Sequence, residues 1–186
     1  MPRRRHAASG FSIVETMIAA ALLATAVVTL AQLFGVATKS NVDSRGTTYA
    51  AMLASQKVEE LRSLSWGFDT LGAPVSDLTS DTSASPETPD GGTGLSPSPG
   101  DALERNTSGW VDYLDRFGRK LGGGAQPPAN TAYIRRWAIQ PLAVDPDNAL
   151  LIQVLVTRRG ERGAGDARAR LSGQARLTTV RGRKRP

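Results

Sequence analysis

The sequence predicts an α+β protein. A long N-terminal α-helix, transmembrane in its first half and amphipathic in its second, packs on a small C-terminal antiparallel β-sheet. Three observations carry this expectation. Phe11 to Thr38 is an apolar run whose only charge is Glu15. Residues 39–66 continue it with apolar side chains at helical spacing among charges. Beyond residue 110, short segments alternate apolar and polar residues with the period of two that marks a half-buried strand.

The run from Phe11 to Thr38 is long enough to span a bilayer, which takes about 20 apolar residues at about 1.5 Å each. A carboxylate at the centre of a membrane helix costs roughly 2.5–3.5 kcal/mol on insertion scales. Even near the helix start, Glu15 therefore calls for a compensating partner. Val42, Tyr49, Leu53, Leu61 and Leu64 fall near one face of the second half, while Lys39, Asp43, Arg45, Lys57, Glu60 and Arg62 fill the others. Gly67 is the expected terminator. A continuous helix from Phe11 to Leu64 would be on the order of 80 Å long.

Residues 67–109 change character, being rich in Ser, Thr, Pro, Gly and Asp, with seven acidic residues and one basic one. Pro86, Pro89, Pro97, Pro99 and the Gly91-Gly92 pair oppose regular structure, so Leu78 to Leu103 reads as a flexible surface loop. A partner-binding loop is the alternative. Asn106-Thr107-Ser108 matches a glycosylation sequon too short and common to carry an assignment.

The remaining segments read as strands. Trp110 to Leu114 turns at Asp115–Gly118 into Phe117-Gly118-Arg119. Tyr133 to Leu142 is a second strand, and Asp145-Pro146-Asp147-Asn148 the turn after it. Leu150 to Thr157 is apolar enough to be central. Ala169, Leu171, Gly173, Ala175 and Leu177 alternate with Arg170, Ser172, Gln174, Arg176 and Thr178, one face buried and one wet. Three or four antiparallel strands are expected, joined by short turns.

Composition narrows the chemistry. The 186 residues carry a net charge of +6, no cysteine, and one histidine, His6, ahead of the apolar run. A thiolate zinc site, a disulfide framework, a Ser-His-Asp triad and a histidine metal site in the C-terminal region are thereby excluded. No phosphate-binding loop, dinucleotide fingerprint or metalloprotease motif is present, so no cofactor is expected and the chain reads as a non-enzyme. Asp145, Asp147 and Asn148 lack the loop and closing Glu of a calcium site.

Three readings compete for the N-terminus. A cleaved secretory signal has an apolar stretch of about 7–15 residues followed by a small-residue cleavage site. Here the run is about twice that length. A plain signal anchor, oriented by Arg3, Arg4 and Arg5, leaves Glu15 and the Gly10-Phe11 junction unexplained. The third reading rests on a resemblance. Gly10-Phe11-Ser12-Ile13-Val14-Glu15-Thr16-Met17, behind a short basic leader and before an apolar run, resembles the type IV prepilin signal.

The resemblance implies cleavage by a prepilin peptidase between Gly10 and Phe11, then N-methylation of Phe11. It implies that Glu15 meets the N-terminal amine of a neighbouring pilin or pseudopilin subunit during assembly. The pair would offset the desolvation of each charge. It also implies a single-pass inner-membrane precursor with its N-terminus in the cytoplasm and its head outside. Other major and minor subunits, an inner-membrane assembly platform and inner-membrane lipid would be its partners. The chain divides accordingly into a leader (1–10), a transmembrane or filament-core half-helix (11–38), an amphipathic half-helix (39–66), the acidic loop (67–109), the sheet (110–181) and a basic tail (182–186).

One departure is that no proline lies between Phe11 and Leu64, where major pilins usually carry one. This fits a minor subunit, and the C-terminal pattern is similar to the type IV pilus modification proteins. A minor pseudopilin of type II secretion remains the alternative. A reading of another class is a signal-anchored protein whose basic end binds nucleic acid or another anionic partner. Arg168, Arg170, Arg176, Arg181, Arg183, Lys184 and Arg185 would make the contacts. Few aromatics lie near for base stacking. The acidic insert leaning on this basic strand is a further alternative, each exposed pair contributing little.

Overall fold

The computed structural model describes residues 10, 12–160 and 173–183. One helix, α1 (Ile13–Ser63), is followed by β1 (Trp66–Phe68), β2 (Pro74–Ser76), β3 (Val111–Leu114), β4 (Lys120–Gly123), β5 (Tyr133–Leu142), β6 (Asp145–Arg158) and β7 (Ala175–Gly182). The chain forms two compact units, residues 1–42 and 43–186. In the first, every described residue from Ser12 to Val42 is exposed. Its helical segment is long and apolar enough to cross a membrane.

The second unit is built on a five-stranded antiparallel sheet in the order β4-β3-β5-β6-β7. The expected α+β layout is present; β6, expected to be central, is an interior strand between β5 and the edge strand β7, and β5 is the middle one. Leu150, Ile152, Val154 and Val156 of β6 and Trp137 and Ile139 of β5 pack with Ala50, Leu53, Ala54, Val58 and Leu61 of α1. These helix positions recur at three- and four-residue spacing, which makes one stripe. Fully burying each large apolar side chain contributes about 1.5–3 kcal/mol. A second, smaller cluster, Val111, Tyr113 and Ile134, forms where β3 and β5 pair.

Several sequence expectations are corrected. The helix ends at Ser63, before Gly67. Val42 is exposed and belongs to the other unit, whereas Lys57, assigned from its charge to an outer face, is fully buried. The turn between β5 and β6 is the two-residue Ala143-Val144. Asp145–Asn148 lies inside β6, as a bulge in its pairing with β5. The reason is that Arg183 N–H donates to Asn148 O (2.6 Å), drawing this stretch toward β7.

The largest correction concerns residues 67–109, expected to be a flexible surface loop. They carry the β1–β2 hairpin, an antiparallel bridge between Asp81 and Thr88, and the buried side chains of Thr82, Ser83, Leu95 and Ala102. Short polar residues hold the path. Asp77 accepts from Thr79 N, Ser80 N and Ser80 Oγ, and Asp81 from Ser83 N and Ser83 Oγ. The glycines that argue against structure are needed for close approach. A Cβ on Gly92 would lie 2.2 Å from Asp81 Cα, and Gly94, at φ +49°, abuts Asp77 O.

Burial raises the Asp77 and Asp81 carboxyls, but the hydrogen bonds from Ser80, Thr79 and Ser83 outweigh it and hold both below the ordinary 3.8. A depressed folded value stabilises fully above 3.8 and is lost as pH falls through the folded value. Acidification below about pH 4 is therefore expected to speed amide exchange at Ser80 and Ser83 before that of β5 and β6. Unchanged protection of these two amides at about pH 3 would show that the carboxylates do not hold the insert.

Candidate functional site

The first candidate is the start of α1. Gly10 is exposed, and Phe11, Arg3, Arg4 and Arg5 lie outside the described residues. Ser12 caps the helix: its Oγ accepts from Val14 N at 3.3 Å, and its carbonyl from Thr16 N at 3.1 Å. Glu15 follows at the third helical position, the spacing of a capping box, and is exposed in the first turn. There its charge is favoured by the positive end of the helix dipole. Four unsatisfied N–H groups begin any helix, so this end suits an anion better than an apolar chain.

The apolar segment also satisfies its own polar groups. Thr25 Oγ1 donates to Ala21 O at 2.7 Å and Thr29 Oγ1 to Thr25 O at 2.8 Å. Hydroxyls bonded back to the preceding turn enter hydrocarbon at lower cost than free ones.

The second candidate is a buried charge network. Lys57, Asp112 and Arg135 are all fully buried. Arg135 binds Asp112 bidentately, Nε to Oδ1 at 2.9 Å and Nη2 to Oδ2 at 2.7 Å. Its Nη1 donates to Leu53 O of α1 at 2.9 Å. Lys57 Nζ lies 3.3 Å from Asp112, 3.1 Å from Glu60 and 2.6 Å from Thr82 O, above the Trp137 ring at 3.8 Å. Lys120 Nζ extends the set to Glu60 (2.6 Å), Thr82 O (3.0 Å) and Glu87 (3.3 Å). Burial lowers the Lys57 ammonium, and burial raises the Glu60 carboxyl; the opposite charges of the network work against both shifts.

Sequence signals for this network existed at two points. Lys57 sits four residues before Leu61 and four after Leu53, on the buried stripe. Arg135 shares the parity of Trp137 and Ile139 on β5. No such signal singles out Asp112, because β3 is buried at all four positions.

The basic end divides. Arg170, Lys184 and Arg185 lie outside the described residues, as does Arg168. Arg176 is exposed and donates to Gln153 Oε1 at 2.9 Å. Arg181 and Arg183 turn inward. Arg181 donates to Leu61 O at 2.8 Å and to Leu64 O, satisfying carbonyls at the helix C-terminus. Arg183 stacks on the Trp66 ring at 3.7 Å and donates to Gly67 O, Val75 O and Ser76 Oγ. These two guanidiniums fasten the helix end and the β1–β2 hairpin to β7. Contact with an external phosphate would first have to break those bonds.

Comparison with protein-family models, curated proteins and solved structures finds no match to this chain. Among the described residues, no group of three or more His, Asp or Glu side chains is placed to hold a metal ion.

Asp112→Ala is expected to lower stability by about 3–5 kcal/mol, because it leaves Arg135 and Lys57 buried without their shared carboxylate. Arg176→Ala, on the exposed side of β7, is expected to stay within about 0.5 kcal/mol. Urea unfolding of the detergent-solubilised chain, followed by tryptophan fluorescence, compares them. Equal midpoints would remove the network from the set of interactions that hold the sheet to α1.

Proposed function

We propose that the chain is a prepilin-like subunit, cleaved between Gly10 and Phe11, methylated at Phe11, and built into or priming a type IV pilus. It acts by assembly and carries out no catalysis of its own. The observation that carries this reading is the start of α1. A capped helix presents one carboxylate, Glu15, in its first turn. An exposed apolar segment of membrane-spanning length follows.

The physical sequence of events follows from these residues. The peptidase removes the basic leader and leaves an amine at Phe11 with the apolar helix still in the lipid. During assembly the helix exchanges lipid for the apolar helices of neighbouring subunits, a transfer with little hydrophobic driving force of its own. Specificity then rests on the polar groups. Glu15 pairs with the Phe11 amine of a neighbour, and removing one member of such a desolvated pair costs several kcal/mol. That pairing sets the stagger between subunits. The sheet unit stays outside the membrane and selects partners. A pseudopilus of type II secretion uses the same chemistry and is the alternative destination.

The N-terminal peptide mass of the protein from native membranes tests the processing step. The expected product begins at N-methyl-Phe11. A chain still carrying Arg3–Arg5 beside an active prepilin peptidase would leave the signal-anchor reading. Glu15→Ala is expected to be cleaved normally and to enter filaments poorly, read as the ratio of filament-bound to membrane-bound protein. Normal incorporation would remove the stagger role of Glu15.

A further inference from the structure

The five-stranded sheet has two free edges, and they differ. β4 is four residues long, contains Gly122 and Gly123, and is overlaid by the insert: Ser83 Oγ lies within 2.7 Å of where a Cβ on Gly123 would be, and Lys120 is tied to Thr82 and Glu87. β7 is eight residues long, pairs with β6 without a bulge, and contains no proline. Among the described residues it has β6 as its sheet neighbour and no strand paired on its other side. Edges are protected by bulges, prolines, short spans or charge; β7 has no bulge, no proline and no shortened span, and carries Arg176 and Arg181.

The register identifies which backbone groups are open. Arg183 N–H donates to Asn148 O, and this pair continues the ladder in which Leu150 opposes Arg181 and Ile152 opposes Thr179. Bonded and non-bonded pairs alternate in an antiparallel ladder. Residues 175, 177, 179 and 181 therefore spend their N–H and C=O groups on β6. Arg176, Thr178, Val180 and Gly182 direct theirs outward. All four residues are exposed, Val180 to 54%.

A groove of about 350 Å³ runs beside this edge, lined by Val180, Arg181 and Gly182 on one side and by Glu59, Arg62 and Ser63 of α1 on the other. A strand added to β7 would place alternate side chains into it. Arg176 is the exposed charge on the strand; Arg62 is paired with Glu59 at 3.3 Å, and Arg181 keeps its donors on Leu61 O and Leu64 O, which leaves the edge net positive. The edge thus favours an acidic occupant.

We propose that β7 is a receiving edge for an extended acidic strand of another polypeptide, added through the outward backbone groups of Arg176, Thr178, Val180 and Gly182. Main-chain hydrogen bonds supply the affinity, and Arg176 with the net positive edge selects acidic side chains. The inference stands on the second unit alone and does not require prepilin processing.

Amide hydrogen exchange on the full chain in detergent tests it. The probe is a synthetic peptide of about nine residues alternating valine or threonine with glutamate, at about 1 mM. A second peptide carries lysine for each glutamate. The acidic peptide is expected to slow exchange at Thr178, Val180 and Gly182 at least about tenfold, and less at high salt. Leu177 and Thr179, already bonded to β6, should change little. Val180→Pro removes one outward N–H at an edge position where proline is tolerated. It should abolish the protection at Thr178 and Gly182 while leaving exchange in β5 and β6 unchanged.

No slowing at these amides, equal slowing by the lysine peptide, or full protection in the chain alone would each overturn the proposal. The chain has no cysteine of its own, so introduced ones report cleanly. Disulfide formation between copies carrying Thr178→Cys and Val180→Cys in membranes would assign the edge to a second copy and overturn the acidic partner.

Discussion

The packing of α1 on the sheet depends on Asp112. Two buried cations, Arg135 and Lys57, share this one carboxylate, and each also reaches a backbone carbonyl, Leu53 O for Arg135 and Thr82 O for Lys57. The set thereby connects the helix, the insert, β3 and β5 at one point. Lys120 and Glu60 add β4 and a second contact with the helix. Apolar burial drives the layers together but is non-directional. A bidentate guanidinium and an ammonium with three donors fix the register instead. Desolvating the charges offsets much of their mutual attraction, so their worth lies in where they hold the helix more than in net stability.

The same helix meets two environments, and its composition changes where the environment does. Up to Thr38 its surface, Glu15 apart, is apolar and exposed on all sides, with threonine hydroxyls turned back on the backbone. From Asp43 onward one stripe is buried and the rest is polar. An all-round apolar surface suits lipid or neighbouring helices, whereas a single stripe suits one sheet. Glu15 is the one charge in the first regime, and its place in the first turn is where a helix tolerates a carboxylate best.

Much of this was legible in advance. The apolar run, the strand alternation around Trp137 and Leu177, the tight turn at Asp115–Gly118 and the interior, two-sided pairing of Leu150 to Val156 are local patterns, and the structure keeps them. The spacing among Gly10, Phe11 and Glu15, on which the proposed prepilin reading rests, is local as well. The insert was misread because Pro, Gly, Ser and Asp mark both solvated loops and irregular backbone held by side-chain caps. Asp77 and Asp81 are of the second kind, and only their bonding distinguishes them. Arg181 and Arg183 read as surface charges for a similar reason. Nothing in their neighbours says that the end of α1 lies beside Arg181 and the β1–β2 hairpin beside Arg183, both over a hundred residues earlier in the chain.

The sequence alone determined the class of the protein: a membrane-length helix with a lone early carboxylate, a charged second half and an antiparallel sheet. Periodicity and length suffice for that, because each element's burial is written in its own spacing. The tertiary structure decided which charges are internal. Lys57, Asp112, Arg135, Arg181 and Arg183 pair with groups brought to them from distant parts of the chain. It also decided which strands end the sheet, β4 and β7 among the described residues, since that follows from strand order. Long-range pairing leaves no trace in local composition, and it is long-range pairing that turns these arginines and lysines from a solvated surface into the frame of the fold.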